Sequence, residues 1–399
     1  GDERGIAETL NQLCNFYFDM GQLELSTKCF REACDLSIEL DSEVGRITAE
    51  DGLSKIMLEQ GEITASLHRY EEEILPVRRR LGYRGGLMNS LGTVLMAQIY
   101  LGRYDEADET TEELLELHQR SGDLYRVPQV KYYQGMAQIF QGYLGDAGKN
   151  IAEGLALAEE QGQKALQALG LAWQGYYYLV LGLSEAGLEK AMQAIEIANE
   201  LGSPLYVMRA QVVLGGSYRH VGRLDEAVEV LESAYQVARG MGFTPDEVTV
   251  LYQLSRAYID REDWDNAEKS LEKLLALATA SEMHEYVARC LWLKSMVLSH
   301  RQEHNAALDV LVGAGNLAEA MDGRLTQYLV QIQKARIYND TDNSAAARDA
   351  VSYAQKLQRK LIESNLSDQS MRESFLHTAY SLQLQEIVET LSQPISSVD

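Results

Sequence analysis

Residues 221–227 read Val-Gly-Arg-Leu-Asp-Glu-Ala, and residues 101–107 read Leu-Gly-Arg-Tyr-Asp-Glu-Ala. This composition is typical of a tight turn between two helices. Gly222 has the backbone freedom with which a helix can end, and Ala227 lets two helix backbones come close. The acidic pair between them suits a helix N-terminus, where the backbone dipole is positive. Looser copies begin at Gly142, Gly182 and Glu262.

The turn recurs with a period of about 40 residues, and one step is a residue longer. The turn positions are Gly21, Gly61, Gly102, Gly142, Gly182, Gly222, Glu262, Gln302 and Asp342. A small residue stands five positions after each turn, at Ser26, Ser66, Ala107, Ala147, Gly187, Ala227, Ala267, Ala307 and Ala347. Seven positions before the turn the residue is again small, except at Leu95. Small residues at two matched points let paired helices cross closely, so the pattern predicts an all-α helical solenoid.

Tyrosine adds a third regularity, four positions before the turn, at Tyr17, Tyr178, Tyr218, Tyr258 and Tyr338. With the small residues it resembles the tetratricopeptide repeat over about residues 1–361, in a long form similar to kinesin light chain and to bacterial signalling ATPases of the STAND class. The period exceeds the common ~34 residues, and glycines such as Gly122 stand where a closing proline is usual. The resemblance implies a right-handed superhelix of about nine helix pairs. Its repeats would start near residues 3, 43, 84, 124, 164, 204, 244, 284 and 324.

Two places depart from the period. Pro76 falls inside the second helix of the second repeat, close to the long step, and predicts either a harmless insertion or a hinge between repeats 1–2 and 3–9. After the array, which we assign to residues 1–366, residues 367–399 predict a single amphipathic helix that caps the stack and a frayed tail.

Composition narrows the class of function. The net charge of -24 argues against a nucleic-acid partner, and no apolar stretch is long enough to span a membrane. The four cysteines have no paired spacing, which favours buried thiols and a cytoplasmic location. Because the chain opens on glycine and the first repeat follows at once, we expect a fragment of a longer protein.

Catalytic and cofactor motifs are not found. The glycines of residues 142–149 lack the spacing and the Ser or Thr of a phosphate loop, and no catalytic Ser or Cys signature is present. His300 and His304 flank a turn without a third ligand in register, so we expect no metal site. The sequence therefore predicts no cofactor and no enzymatic activity.

The resemblance implies that one face of each first helix lines a concave groove. There the sequence places aromatic and arginine residues, namely Tyr132, Tyr176, Arg209, Arg219, Tyr252, Arg256, Arg289, Trp292 and Arg336. Arginine binds carboxylates with a planar fork, and Tyr, Trp and Arg dominate binding hot spots. The alternative is that these arginines pair with acidic residues of neighbouring helices. The family's carboxylate clamp is absent, since Asn11 and Gly52 replace its Lys and Asn.

These observations favour a non-catalytic scaffold or sensor that binds a protein or peptide segment of acidic character in the groove. By resemblance it would be the repeat region of a larger bacterial signalling protein. The alternative is a small-molecule-sensing regulatory domain of a STAND-type ATPase or transcription regulator.

Overall fold

The computed structural model describes residues 3–363, 366 and 368–392, and over these residues the fold is all-α. The expected all-α repeat solenoid is confirmed. The paired helices, in chain order, are α1 (Glu3–Asp19) with α2 (Leu23–Glu39), α3 (Glu43–Glu59) with α4 (Ile63–Arg69) and α5 (Leu75–Leu81), α6 (Arg84–Tyr100) with α7 (Tyr104–Ser121), α8 (Val127–Gln141) with α9 (Leu144–Glu160), α10 (Lys164–Val180) with α11 (Ser184–Leu201), α12 (Pro204–His220) with α13 (Leu224–Met241), α14 (Thr244–Asp260) with α15 (Trp264–Ala280), α16 (His284–His300) with α17 (His304–Ala320), and α18 (Arg324–Asp340) with α19 (Ser344–Glu363). We number these pairs as repeats 1 to 9. The fourth repeat begins at Val127 rather than near 124, with Pro128 in its first helical turn.

The turn within each pair has one residue in the left-handed region, and it is always the residue at the periodic position. This holds even without glycine, since φ is 61° at Glu262, 64° at Gln302 and 57° at Asp342. In each turn the next residue donates its N–H to a carbonyl of the helix just ended, as Asp263 does to Tyr258 at 2.8 Å. This pattern closes the helix C-terminus and reverses the chain.

The two sets of small residues meet where the helices of a pair cross. A Cβ on Gly175 would lie 3.2 Å from the carbonyl oxygen of Gly187, and the reverse distance is the same. In repeat 1 the Ser26 hydroxyl donates to the Cys14 carbonyl at 2.9 Å. The close approach favours small side chains at both positions, although repeat 3 accommodates Leu95 at one of them.

Successive turns of the superhelix are in contact. The turn residues of early repeats lie against the ends of second helices roughly five repeats later, as Gly21 does against Met241, and Gly102 against Met321. His284 also bonds the Leu101 carbonyl at 3.0 Å. We call this row of contacts the seam. It turns the concave groove into a laterally closed channel.

The extra residue of the long step lies inside a helix. A π-helical segment, Tyr70–Ile74, joins α4 to α5, and Pro76 stands at the start of α5. A π turn takes up one additional residue without breaking the helix. The extra residue is therefore an insertion inside the second helix of repeat 2. The hinge between repeats 1–2 and 3–9 stays a prediction.

The C-terminal segment forms two helices, α20 (Gln369–Leu376) and α21 (Ala379–Ser392), instead of the expected single one. The break follows from the bend at His377 and Thr378, where the Thr378 hydroxyl bonds the Phe375 carbonyl at 2.8 Å. Phe375 is buried against Tyr328 of α18, with ring centroids 6.1 Å apart. The expected frayed tail, from Pro394 onward, lies outside the described residues.

Two of the four cysteines correct the expectation of free thiols. Cys14 in α1 and Cys29 in α2 form a disulfide with a Cα–Cα distance of 5.3 Å, while Cys34 and Cys290 are free. The sequence separation did not reveal the pair because contact between the two helices depends on their packing. Disulfides form mainly in oxidising compartments, so the cysteine content no longer supports a cytoplasmic location.

Candidate functional site: the superhelical channel

The first helices of the repeats form the inner wall of the channel. An apolar cavity of about 100 Å³ is lined by side chains from six successive first helices, α6 to α16. Five of them are tyrosines, namely Tyr100, Tyr133, Tyr176, Tyr252 and Tyr286. The cavity is therefore a site made jointly by repeats 3 to 8.

The channel is narrow at this level, and side chains reach across it. Tyr286 of repeat 8 meets Phe140 of repeat 4 edge-on, with ring centroids 6.4 Å apart. The Arg289 guanidinium lies 4.7 Å from the Phe140 ring and donates to the Tyr176 hydroxyl at 3.0 Å. These contacts join opposite walls of the channel. The channel is therefore largely filled by side chains at this level, and open cavities lie between such contacts.

Two further cavities continue the channel toward the C-terminal helices. A cavity of about 360 Å³ shares Tyr176 and Tyr252 with the first one. A third, of about 600 Å³, shares Arg256 and Tyr380 with the second. The three form one path from the tyrosine-rich centre to the end of the array.

Ionisable groups are buried at the other end of the apolar cavity. Arg209 and Asp246 form a two-pronged ion pair with both N–O distances 2.9 Å, which links repeats 6 and 7. Glu59 is 3 % exposed, and its Oε2 has no hydrogen-bond partner. Burial raises the pKa of the Glu59 carboxyl to about 7; Arg209 opposes this shift and Asp246 adds to it. A proton-binding group with a near-neutral pKa thus lies beside the channel.

Most of the groove arginines identified in the sequence have acidic partners. Besides Arg209, Arg219 pairs with Asp260 at 2.5 Å, Arg289 with Glu285 at 2.7 Å and Arg336 with Asp340 at 3.8 Å. Arg256 instead donates to the Tyr380 hydroxyl at 3.1 Å. The alternative of pairing with a neighbouring helix therefore holds for Arg209 and Arg219, whereas Arg289 and Arg336 pair within their own helices. The arginines do not form a uniform stripe.

Seven of the nine side chains identified as ligand-binding candidates line the channel cavities; Tyr132 and Trp292 do not. Tyr132 is fully buried in the packing between α8, α9 and α10, where it lies against Gly154 and Gly170. Trp292 is 1 % exposed and is covered by Tyr380, at 5.5 Å between rings. The Tyr132 ring fits there because Gly154 and Gly170, the residues that face it, have no side chains. The periodic pattern alone does not reveal this feature.

Sequence reasoning missed two kinds of channel residue. Asp246 and Asp260 follow Arg209 and Arg219 by about one repeat, so the period itself would have indicated both pairings. Tyr380 belongs to the C-terminal segment and enters the channel through tertiary packing, for which the sequence holds no local signal.

The two histidines considered as metal ligands have other contacts. His300 stacks on Trp264 with ring centroids 4.0 Å apart, and the His304 ring nitrogen Nε2 lies 3.2 Å from the Gln302 side chain. Across the described ranges, no three His, Cys, Asp or Glu side chains converge as a metal site requires. In the same part of the chain, no helix is both long enough and apolar enough to cross a membrane.

One protein-family profile matches part of this chain. The tetratricopeptide repeat profile matches residues 250–282, which cover the C-terminal part of α14 and all of α15. The match spans part of one of the nine helix pairs in the described ranges, and the other eight pairs share its helix–turn–helix architecture. No protein of curated function matches in sequence.

Three solved structures share the architecture. A Rap protein in complex with competence and sporulation factor is 12% identical, with a TM-score of 0.67, over 90% of this chain and 99% of that chain. Aspartyl phosphate phosphatase F from Bacillus subtilis is 14% identical, with a TM-score of 0.50, over 92% and 96%. The APC/C hetero-tetramer Cut9-Hcn1 is 14% identical, with a TM-score of 0.58, over 97% and 76%. At these identities the likeness concerns the fold.

Proposed function

We propose that the protein is a non-catalytic recognition module that binds a segment of a protein or peptide inside the superhelical channel, as part of a larger bacterial signalling protein. The observation that carries the proposal is the band of tyrosines that several first helices contribute around one continuous path. Tyrosine offers rigid ring area and a polar tip, a combination enriched in binding hot spots. The Rap protein, which has this architecture, is known in complex with competence and sporulation factor.

A scaffold role fits the chemistry of the wall better than catalysis does. Most of the buried arginines are neutralised by carboxylates, and burial raises the pKa of the Tyr286 and Tyr133 hydroxyls in the central cavity. Such groups are held in their resting protonation states and serve as contacts. We therefore propose that this chain is non-catalytic, although one protein of the same architecture is named a phosphatase.

The central cavity also favours a second candidate, the sensing of a small molecule. The cavity has a volume of about 100 Å³, and its walls touch across the channel. A compact apolar group therefore fits it better than a long chain does. A ligand that inserted one such group there and extended toward the C-terminal helices would satisfy either proposal.

The test is selection from a random peptide library displayed on phage, followed by binding of the selected peptides to two variants. Ala172→Phe places a ring in the central cavity, whereas Val312→Phe adds the same ring to the exposed side of α17. We expect a loss of at least ~10-fold in affinity for the first variant and none for the second, with circular dichroism showing both folded. If no peptide is selected, or if the selected peptides bind Ala172→Phe as well as they bind the parent protein, the channel is not the binding site for peptides.

A further inference from the structure

The second cavity of the channel contains three arginines close to one another. It lies between repeats 5 to 9 and the turn that joins α20 to α21, and its walls include Arg219, Arg256 and Arg289. We call this cavity of about 360 Å³ the arginine pocket. The side chain of Arg219 is 7% exposed and that of Arg289 is 3% exposed, so both guanidinium groups are withdrawn from solvent.

The hydrogen-bonding capacity of these arginines is not used up by the protein. Arg219 gives Nη1 to Asp260, but its Nε and Nη2 are buried without a partner. Arg289 gives Nε to Glu285 and Nη1 to Tyr176, while its Nη2 is buried without a partner. A buried, unsatisfied N–H of a charged group is costly, and native structures rarely keep several in one place without use.

The charge balance of the pocket is positive. Its three guanidinium groups face two carboxylates, those of Asp260 and Glu285, and the Asp260 side chain is 41% exposed. Arg256 donates its hydrogen bond to the neutral hydroxyl of Tyr380 and lies 5.5 Å from the Tyr252 ring. The positive electrostatic potential of the three arginines also acts on the neighbouring Tyr252 hydroxyl. Burial alone would raise the pKa of Tyr252, yet Arg256, Arg289 and Arg219 hold it below its usual value.

We propose that the arginine pocket binds a single oxyanion, a carboxylate or a phosphate group, carried by the ligand of the channel. This inference deepens the proposed function and rests on it. The planar forks of Arg219 and Arg289 present unpartnered donors, and Arg256 adds a charge that no carboxylate neutralises at close range. Apolar walls, among them Leu179 and Leu329, would surround the body of the ligand that carries the anion. Arg209 and Arg336, by contrast, are outside this site and have partners of their own.

The probes for the test are phenyl phosphate and 3-phenylpropanoate, with the neutral 3-phenylpropanamide as control, measured by isothermal titration at constant ionic strength. We expect both anions to bind the parent protein at least ~10-fold more tightly than they bind Arg256→Met, with the amide indifferent to the substitution. The tighter of the two anions identifies the ligand chemistry as phosphate or carboxylate. Arg336→Met, an exposed arginine of the next cavity, is the matched control and should bind like the parent protein.

Arg256→Met leaves no carboxylate without its partner, so the variant should fold; Arg256→Lys provides a second variant that keeps the charge and loses the fork. Intermediate anion affinity in Arg256→Lys supports the pocket. Equal anion binding by the parent protein and Arg256→Met, or amide binding as tight as anion binding, overturns it. The proposed function is tested separately, because selected peptides that lose affinity for Ala172→Phe but not for Arg256→Met would leave the channel as the binding site and remove only the arginine pocket.

Discussion

Tyr380 of the last helix accepts a hydrogen bond of 3.1 Å from Arg256 of the seventh repeat, while its ring covers Trp292 of the eighth. The C-terminal segment is thereby held inside the channel as well as against the end of the stack. It forms part of the wall of the arginine pocket, so its position decides how much of the channel a ligand can reach.

Replacing Tyr380 by alanine should loosen this attachment. The variant loses a ring packed edge-on against Trp292, and we expect the free energy of unfolding to fall by about 2 kcal/mol and the tryptophan emission to shift to the red. Chemical denaturation followed by fluorescence measures both. Tyr125→Ala, at a side chain that is largely exposed, is the control and should change neither. Unchanged emission from Tyr380→Ala would show that the segment is not held by this residue.

Alanine substitutions at Gly61 and Gly222 distinguish the contribution of the seam to stability from the contribution of the turn itself. Both occupy the same turn position, with φ of 88° and 79°, so alanine costs about 1–2 kcal/mol at either. Only at Gly61 would the new Cβ meet the next superhelical turn, 2.4 Å from Ser281 and 3.0 Å from Thr244. We expect Gly61→Ala to lose a further ~1–3 kcal/mol of stability in urea denaturation. Equal losses for the two variants would mean that the turns of the superhelix do not press on one another.

The buried Glu59 carboxyl predicts a pH dependence of stability. Because its pKa is raised from 4.5 to about 7 on folding, the folded chain binds more protons than the unfolded chain between these values. Its contribution is therefore fully present below pH 4.5 and is lost as the pH rises through 7, by up to about 3 kcal/mol. Lys55, Arg209 and Asp246 are the charged groups that act on it.

The matched variants for this prediction are Glu59→Gln and Glu62→Gln, at a buried and an exposed carboxylate of one repeat. Thermal unfolding at several pH values should give a flatter profile for Glu59→Gln and a parent-like profile for Glu62→Gln. Parallel profiles for all three proteins would contradict the raised pKa.

The effects on stability of substituting Arg209 and Asp246 should be strongly non-additive, because the two side chains form one ion pair. Arg209→Met leaves a buried carboxylate without its partner and should cost about 2–4 kcal/mol, whereas the double variant with Asp246→Asn should cost clearly less than the two single ones added. The surface pair of Arg301 with Glu268 has similar distances but exposed side chains, and Arg301→Met should cost no more than about 1 kcal/mol. A denaturation-based mutant cycle measures both pairs; additive losses at Arg209 and Asp246 would show that they act independently.

The local rules of this fold could be predicted from the sequence, because each turn is specified by residues within a few positions of it. Gln302 and Asp342 were assigned to turns by period alone, and both adopt the left-handed conformation. The same period located the helix crossings through their small residues. Each of these features depends on contacts within one helix pair.

The candidate site was harder to predict because it depends on contacts between distant repeats. The channel orientation of Tyr176 and Tyr252 followed from the register, yet the bond from Arg289 to Tyr176 spans three repeats and could not be inferred locally. Tyr132 has the register of a groove residue, but glycines at facing positions draw it into the core. The Cys14–Cys29 disulfide was missed for a similar reason, since it depends on how two helices pack.

The seam has an evolutionary consequence. Gly21 faces Met241 and Gly102 faces Met321, so a residue without a side chain is matched with a long one on the next superhelical turn. Duplicating or deleting one repeat between them would shift every such match by one unit at once, and bulky residues would meet partners selected for another neighbour. Ordinary open arrays gain and lose units freely because each unit contacts only those beside it. Here the number of repeats is itself an inherited trait, and we expect homologous chains to keep it while their surfaces diverge.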